Sequence, residues 1–336
     1  MFVPPFCPYP ACPFHLQPLR RFYRRIGFYQ PRCRSHPIQR FRCRACGRSF
    51  SRQTFRADYR QKKPHLNAPF LHLMVSCVGL RQAARCLHVA RRTVEHRFRW
   101  LSAHAASYHQ NRLRGVTLPG PFQLDEMESF ESNRYQPVTV PVLIHRHTFF
   151  LVASGVGPLR RKGRLTRLQR SKRAEHESLH GRRPSQSLAA VRRVLRTLLP
   201  LVPPGSPMVL DSDHKPLYGR LGRDLFGDRF RWRTHSASAR RDRANPLFPI
   251  NHTNARLRHF LARLRRRSWC VSKRRMALQR HLDIAALWVN YCRGITNRTW
   301  TTPAQALGIA ARAWRVEEVL AWREDWGAHR PLAEAA

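Results

Sequence analysis

Two cysteine pairs open the chain, Cys7-x4-Cys12 and Cys43-x2-Cys46, with thirty residues between them. A turn that tight sets both sulfurs of a pair on one side. Two such turns brought together offer four thiolates in a tetrahedron, the closed coordination of a structural zinc ion. Gly47 follows the second pair and eases the backbone past the metal. Cys33 and His36 lie between the pairs and could each replace a ligand, as could His15. The other reading is four free thiols. The chain has nine Cys and opens Met1-Phe2-Val3-Pro4-Pro5, without the charged start and apolar run of a signal peptide. An odd count in that setting argues against a disulfide framework. Cys77 and Cys86 read as small buried apolar residues. A ribbon this small has little core, so metal binding would be its folding energy.

Carboxylates are the second chemically informative set because they are scarce: 19 Asp+Glu stand against 63 Lys+Arg, a formal net charge of +44. Asp125 sits in Gln123-Leu124-Asp125-Glu126-Met127-Glu128-Ser129-Phe130, which alternates as a strand. Asp213 follows the apolar Met208-Val209-Leu210. Each is expected at a strand end, and adjacent strand ends can bring such carboxylates together. Two carboxylates a few ångströms apart repel unless a divalent cation lies between them. Two Mg2+ ions there would activate water and stabilise the leaving oxygen of a phosphodiester. Turn or salt-bridge roles for both Asp are the competing reading. Alternation points Glu126 away from Asp125 and puts Asp211 on the side of Asp213 if the strand continues.

The elements that must position these residues can be read from periodicity. After Phe122, residues 138–144 and 149–156 continue an antiparallel meander, residues 187–199 form an amphipathic helix, and strand, helix and strand follow to residue 234. This is a mixed α/β layer. Upstream, Asn67-Ala68-Pro69 caps a helix, residues 80–87 form a short second one, and His88-Val89-Ala90 makes a turn. Residues 91–101 then form a basic helix with Val94, Phe98 and Leu101 inward and Arg91, Arg92, Glu95, His96 and Arg99 outward. Short helix, turn and basic helix is the helix-turn-helix arrangement that docks a major groove. A structural hairpin with a solvated basic face is the alternative. Residues 256–267 and 276–291 read as further helices, and the segment after Trp314, with Glu317, Glu318, Glu324 and Asp325, as an appended one.

The charge favours a polyanionic partner, foremost nucleic acid. Only six of the basic residues are Lys, a bias that genome composition can produce, but composition does not account for the threefold excess of basic over acidic residues. At 42% hydrophobic content the chain is no disordered basic tail, and no apolar run approaches the roughly 18 residues of a membrane span. A cytoplasmic, nucleoid-associated protein of bacterial type is expected.

Over nearly its whole length the sequence resembles transposases of the insertion sequence 1 type. The zinc knuckle with Arg48-Ser49-Phe50, and Val78-Gly79-Leu80-Arg81-Gln82-Ala83-Ala84-Arg85, are similar to that family's DNA-binding portion. Leu124-Asp125-Glu126-Met127 and Asp213-His214-Lys215-Pro216-Leu217-Tyr218 resemble its first and second catalytic motifs, and residues 257–273 the region around its third. The resemblance implies a ribonuclease-H-like fold and an Asp-Asp-Glu triad holding Mg2+ or Mn2+. Asp125 and Asp213 match. The third position carries Asn251, in Pro249-Ile250-Asn251-His252-Thr253-Asn254, and the family's basic residue seven positions later is Arg258. Losing one anionic ligand should weaken metal binding. Residues 160–183 read as a basic insertion or loop over the active face, with Glu175 or Glu177 as an outside replacement for the missing acid.

The expected organisation is a zinc ribbon over residues 1–62, a helix-turn-helix over 63–112, a ribonuclease-H-like catalytic domain over 113–300 and a helical extension over 301–336. The expected function is binding of insertion-element ends and target DNA, with a homo-oligomer assembled on it, and metal-dependent cutting and joining of strands. The alternative is an inactive, transposase-derived DNA-binding protein.

Overall fold

Val138, Val140, Val142 and Ile144 are buried on one face of a long strand, against helices that carry Ile250, Leu257, Leu278, Leu282 and Ala285. The intervening Pro141, Leu143 and Thr139 are buried on the other face. A strand covered on both sides reads as a near-continuous apolar run, which is why the alternation is weak here. The computed structural model describes residues 2–31, 36–160, 163–236, 240, 242–265 and 270–323.

In chain order the N-terminal elements are α1 (Pro13–Leu16), β1 (Tyr23–Tyr29), β2 (Ile38–Cys43) and β3 (Ser49–Ser51), followed by α2 (Asn67–Met74), α3 (Leu80–Cys86) and α4 (Arg91–Leu113). The strand-rich part comprises β4 (Phe122–Glu131), β5 (Asn133–His145), β6 (Leu151–Ser154), β7 (Gly157–Pro158), α5 (Arg167–His180), α6 (Ser187–Arg196), β8 (Met208–Ser212), α7 (Pro216–Phe226) and β9 (Phe230–Thr234). Then come α8 (Phe248–Phe260), α9 (Arg275–Tyr291), α10 (Pro303–Ala306) and α11 (Val316–Ala321). The protein is thus α/β. No described helix is long and apolar enough to cross a membrane.

The chain divides into two compact units: the described residues up to Pro69 with those from Arg315 onward, and Phe70–Trp314. The first unit holds the antiparallel sheet β1-β2-β3. Its core is aromatic, with Phe22, Phe41, Phe50 and Phe55 buried beside Cys7, Cys12 and Cys43.

The second unit is built on a six-stranded mixed sheet of order β6-β5-β4-β8-β9, with β7 paired to β5. β4, β5 and β6 are antiparallel, whereas β8 joins β4, and β9 joins β8, in parallel. α8 and α9 cover one face and α6 packs on the other. α7 lies on β9 at close range: a Cβ at Gly219 would stand 2.5 Å from Trp232, and one at Gly222 2.0 Å from Phe230. These glycines let the helix that follows Asp213 sit down on the sheet.

Several elements differ from the periodicity reading. Residues 149–156 give only a short β6, Leu151–Ser154, preceded by Phe149 at a φ of +58°, and β7 follows as a separate pairing with β5. The helix that was expected from residue 256 begins at Phe248 and ends at Phe260, and residues 266–269 lie outside the described set. α4 runs on to Leu113 because Ala105 and Tyr108 are buried, with Tyr108 edge-on to Tyr291 of α9 at 5.0 Å. The basic stretch 160–183 contains the capped helix α5, entered through the Thr166 hydroxyl.

Candidate functional site

The cysteine pairs meet. Cys7 and Cys12 flank a turn closed by Cys12 N–H donating to Tyr9 at 3.0 Å, and Cys43 ends β2, where Gly47 N–H returns to its carbonyl at 3.2 Å. The sulfurs of Cys7 and Cys46 stand 3.7 Å apart and those of Cys12 and Cys43 3.6 Å apart, and all four lie within 4.8 Å of one another. Four thiolates at about 2.3 Å from a central zinc would sit about 3.8 Å apart. The four cysteines could therefore hold a zinc ion. They are the one group of three or more His, Cys, Asp or Glu with this convergence among the described residues. His15 does not join them; its Nδ1 donates to the Cys7 carbonyl at 2.7 Å and so braces the first turn. His36 is outside the cluster, and Cys33 lies outside the described residues. Burial pushes the Cys7 and Cys12 thiols up. Cys43 is buried as well, yet donation from the N–H groups of Cys46 and Ala45 brings it down.

The scarce carboxylates form a second locus, in the other unit. β4 pairs β8 in parallel with Phe122 opposite Leu210 and Gln123 opposite Asp211. Continued two residues, that register sets Asp213 beside Asp125. Asp213 follows the end of β8 as expected, but Asp125 lies inside β4, which continues to Glu131 because it stays paired with β5 after β8 has ended. Both line a cleft of about 670 Å³, with Glu126, Glu128, Arg134, Arg160, Ser187 and Lys215 also on its walls. Burial, then the neighbouring charge of Asp125, holds the Asp213 carboxyl above the usual range, with the Lys215 N–H opposing.

The hydrogen bond to Asp125 from α8 comes from Asn254, whose Nδ2 donates to Asp125 Oδ2 at 2.8 Å, and not from Asn251 one turn earlier. Asn254 Oδ1 and Asp213 Oδ1 are both buried without a hydrogen-bond partner among the described residues. Orphaned acceptors beside a carboxylate call for a cation or a donor, and hard oxygen ligands of this kind are those of Mg2+ or Mn2+. α8 is fixed to β4 by Gln123, fully buried, whose Nε2 donates to the Pro246 carbonyl at 2.6 Å and whose Oε1 accepts from Ile250 N–H at 3.0 Å. Arg258 is exposed on the same helix.

Glu126, next along β4, also borders the cleft but turns its carboxylate to residues of α6 and α7. Its carboxylate accepts from Ser187 Oγ at 2.7 Å, Thr139 Oγ1 at 3.0 Å, Tyr218 OH at 3.3 Å and the Lys215 ammonium. Burial lowers the Lys215 ammonium, with the charge of Asp125 working against it. Asp211 is fully buried and held by Arg233 at 2.6 Å, Arg146 at 3.0 Å and His235 at 3.3 Å, an ion-pair knot that fastens β8 to β9. Glu177 is paired with Arg160 at 2.9 Å.

On α4, Val94, Phe98 and Leu101 are buried and Arg91, Arg92, Glu95, His96 and Arg99 together line a shallow concavity of about 430 Å³. Arg91 pairs with Glu95 one turn on, at 2.7 Å. α3 precedes this face through residues 87–90, where His88 takes a φ of +49°. Sequence reasoning missed Asn254 and Gln123. Both stand inside stretches quoted for other residues, but nothing local to them encodes the contact between β4 and α8. Neither a scan of protein-family models nor a search of curated proteins returns a match to this chain.

Proposed function

We propose that the chain is a DNA-binding protein of transposase type, with a helix-turn-helix formed by α3 and α4 and a ribonuclease-H-like domain that cuts and joins DNA strands at the Asp125–Asp213 cleft with Mg2+ or Mn2+. The observation that carries this reading is that Asp125 in β4 and Asp213, just past the end of the adjacent parallel β8, line one cleft, with Asp213 Oδ1 and Asn254 Oδ1 buried and without a donor among the described residues. When bound, the divalent ion would neutralise charge on the phosphodiester and make a water more acidic. Asp125, Asp213 and Asn254 Oδ1 would hold it. Asn254 orients the Asp125 carboxylate, Gln123 keeps α8 at the required height, and Arg134 and Arg160 on the cleft wall attract the phosphate backbone. Arg91, Arg92, His96 and Arg99 supply the donors that groove edges and phosphates accept. DNA, held by a homo-oligomer, is the proposed partner.

A second reading, an inactive DNA-binding relative, is favoured by one specific feature: α8 reaches Asp125 through Asn254 and contains no acid, with Asn251 where the resemblance implies Glu. Strand cleavage and transfer on DNA bearing the element's own ends separates the two. Activity that Asp125→Asn abolishes supports the enzyme. Silence in wild type and in Asn251→Glu, with Mg2+ and with Mn2+, supports the relic.

A further inference from the structure

The sheet of the first unit carries a feature that the cysteine cluster does not need. Between Arg25↔Phe41 and Phe28↔Gln39, β1 spends one residue more than β2. The extra residue is a bulge at Gly27, whose φ of +96° suits glycine. Gln39 fastens it by donating Nε2 to the Gly27 carbonyl at 2.7 Å. In a regular strand Arg25 and Phe28 would point to opposite faces. The bulge turns both to one face, where they border a pocket of about 480 Å³.

Phe2, Ile38 and Phe41 line that pocket from the core side, and Phe28 stands as a wall of it, 65% exposed. Arg25 and Arg52 are exposed at the rim, and Arg52 lies over the Phe2 ring at 5.9 Å. Arg56 also borders it, forked onto Asp58 at 2.7 and 2.8 Å. The described lining contains no carboxylate. An aromatic wall over an apolar floor accepts a flat ring, and a cationic rim accepts the phosphate attached to it.

We propose that this pocket is a binding site for an unpaired nucleotide of single-stranded DNA or RNA, with its base stacked on Phe28 and its phosphates at Arg25 and Arg52. The base must be unpaired because a paired base has both faces covered by its neighbours, whereas stacking on an exposed ring uses one face. The recognition face of α4 differs in kind: Arg91, Arg92, Glu95, His96 and Arg99 offer hydrogen-bonding groups and no Phe, Tyr or Trp, which suits duplex edges. Charge complementarity selects a nucleic acid over an apolar peptide, since phosphate brings negative charge to the two guanidinium groups of the rim. The site depends on neither the cleft chemistry nor the proposed enzymatic activity.

The test uses the full chain with zinc bound and no added magnesium. Binding of fluorescein-labelled (dT)12 and of a labelled 12-base-pair duplex is followed by anisotropy for wild type, Phe28→Ala, Phe28→Trp and the double variant Arg91→Ala/Arg92→Ala. Phe28→Ala should weaken (dT)12 roughly ten-fold, the loss expected for one stacked base, and leave the duplex within about two-fold. Phe28→Trp should retain single-strand binding, and the α4 double variant should lose duplex binding instead. Zinc content reports whether each variant keeps its fold. An oligonucleotide carrying 2-aminopurine supplies an independent reading in wild type, because stacking on Phe28 should change its fluorescence. Unchanged (dT)12 affinity in Phe28→Ala, equal losses on single strand and duplex, or no 2-aminopurine response in wild type would each overturn the proposal.

Discussion

Cys43→Ser tests how the first unit is held together. Its buried apolar residues are few, and three of the seven in its core cluster are cysteines. Zinc in small domains of this kind contributes about 10–16 kcal/mol of apparent binding free energy, which is also folding free energy. Shared evenly over four thiolates, the loss of one removes about 2.5–4 kcal/mol, or roughly 70- to 900-fold in zinc affinity. The serine hydroxyl is also shorter than the thiolate and a poorer ligand for zinc. Wild type should carry one zinc per chain by elemental analysis, and Cys43→Ser well under one after dialysis. Limited proteolysis should then cut within residues 2–66 while α4, β4 and β5 stay protected. A zinc-free wild type with the same protection pattern, or Cys43→Ser protein that keeps its zinc, would refute the argument.

Asn254→Ala removes the donor to Asp125, a charge-assisted bond of about 1.5–3 kcal/mol, so the carboxyl of Asp125 should titrate higher by NMR and divalent-ion affinity should fall, while Asn251→Ala should do less. Asp211→Asn strips the charge that Arg146 and Arg233 share; the cations are partly exposed, so a loss of about 2–3 kcal/mol in urea unfolding is expected, at or below the low end of the range for a broken buried pair. Acid stability carries two opposed contributions from α9. Burial pushes His281 down to about 3 from 6.5, so its contribution is lost as pH falls through that window; burial pushes Asp283 up to about 6 from 3.8, so its contribution is lost as pH rises through that one. Each slope is about 1.4 kcal/mol per pH unit. Asp283→Asn should therefore steepen the acid loss of stability between pH 6 and 4, and His281→Gln should reverse its sign; identical pH profiles for both variants would contradict the assignment.

What could be read in the sequence was local. Cys-x2-Cys and Cys-x4-Cys are turns whose geometry is written in their spacing, and the four sulfurs do converge. Asp125 and Asp213 stood out because acids are rare in the chain and each follows or interrupts an apolar run, and they do share a cleft. The partner of Asp125 was not legible. Asn254 lies 129 residues away along the chain, and whether it or Asn251 meets the carboxylate depends on the height at which Gln123 clamps α8. Residues 102–114 read in the sequence as a helix tail and linker; α4 takes them up to Leu113, held by Tyr108 against Tyr291, a contact with a distant element that sets how far the tail runs. The bulge at Gly27 left no periodic signature, since one inserted residue shifts a strand's alternation by a single step.

The most direct test of the central claim is the number of Mn2+ ions bound by the zinc-loaded protein, counted by electron paramagnetic resonance titration in wild type and in Asp125→Asn, Asp213→Asn and the double variant. The cleft reading predicts saturable Mn2+ binding in wild type, weakened in each single variant and absent in the double one, with zinc content unchanged throughout. Mn2+ binding of equal stoichiometry and affinity in wild type and the double variant would show that Asp125 and Asp213 hold no metal.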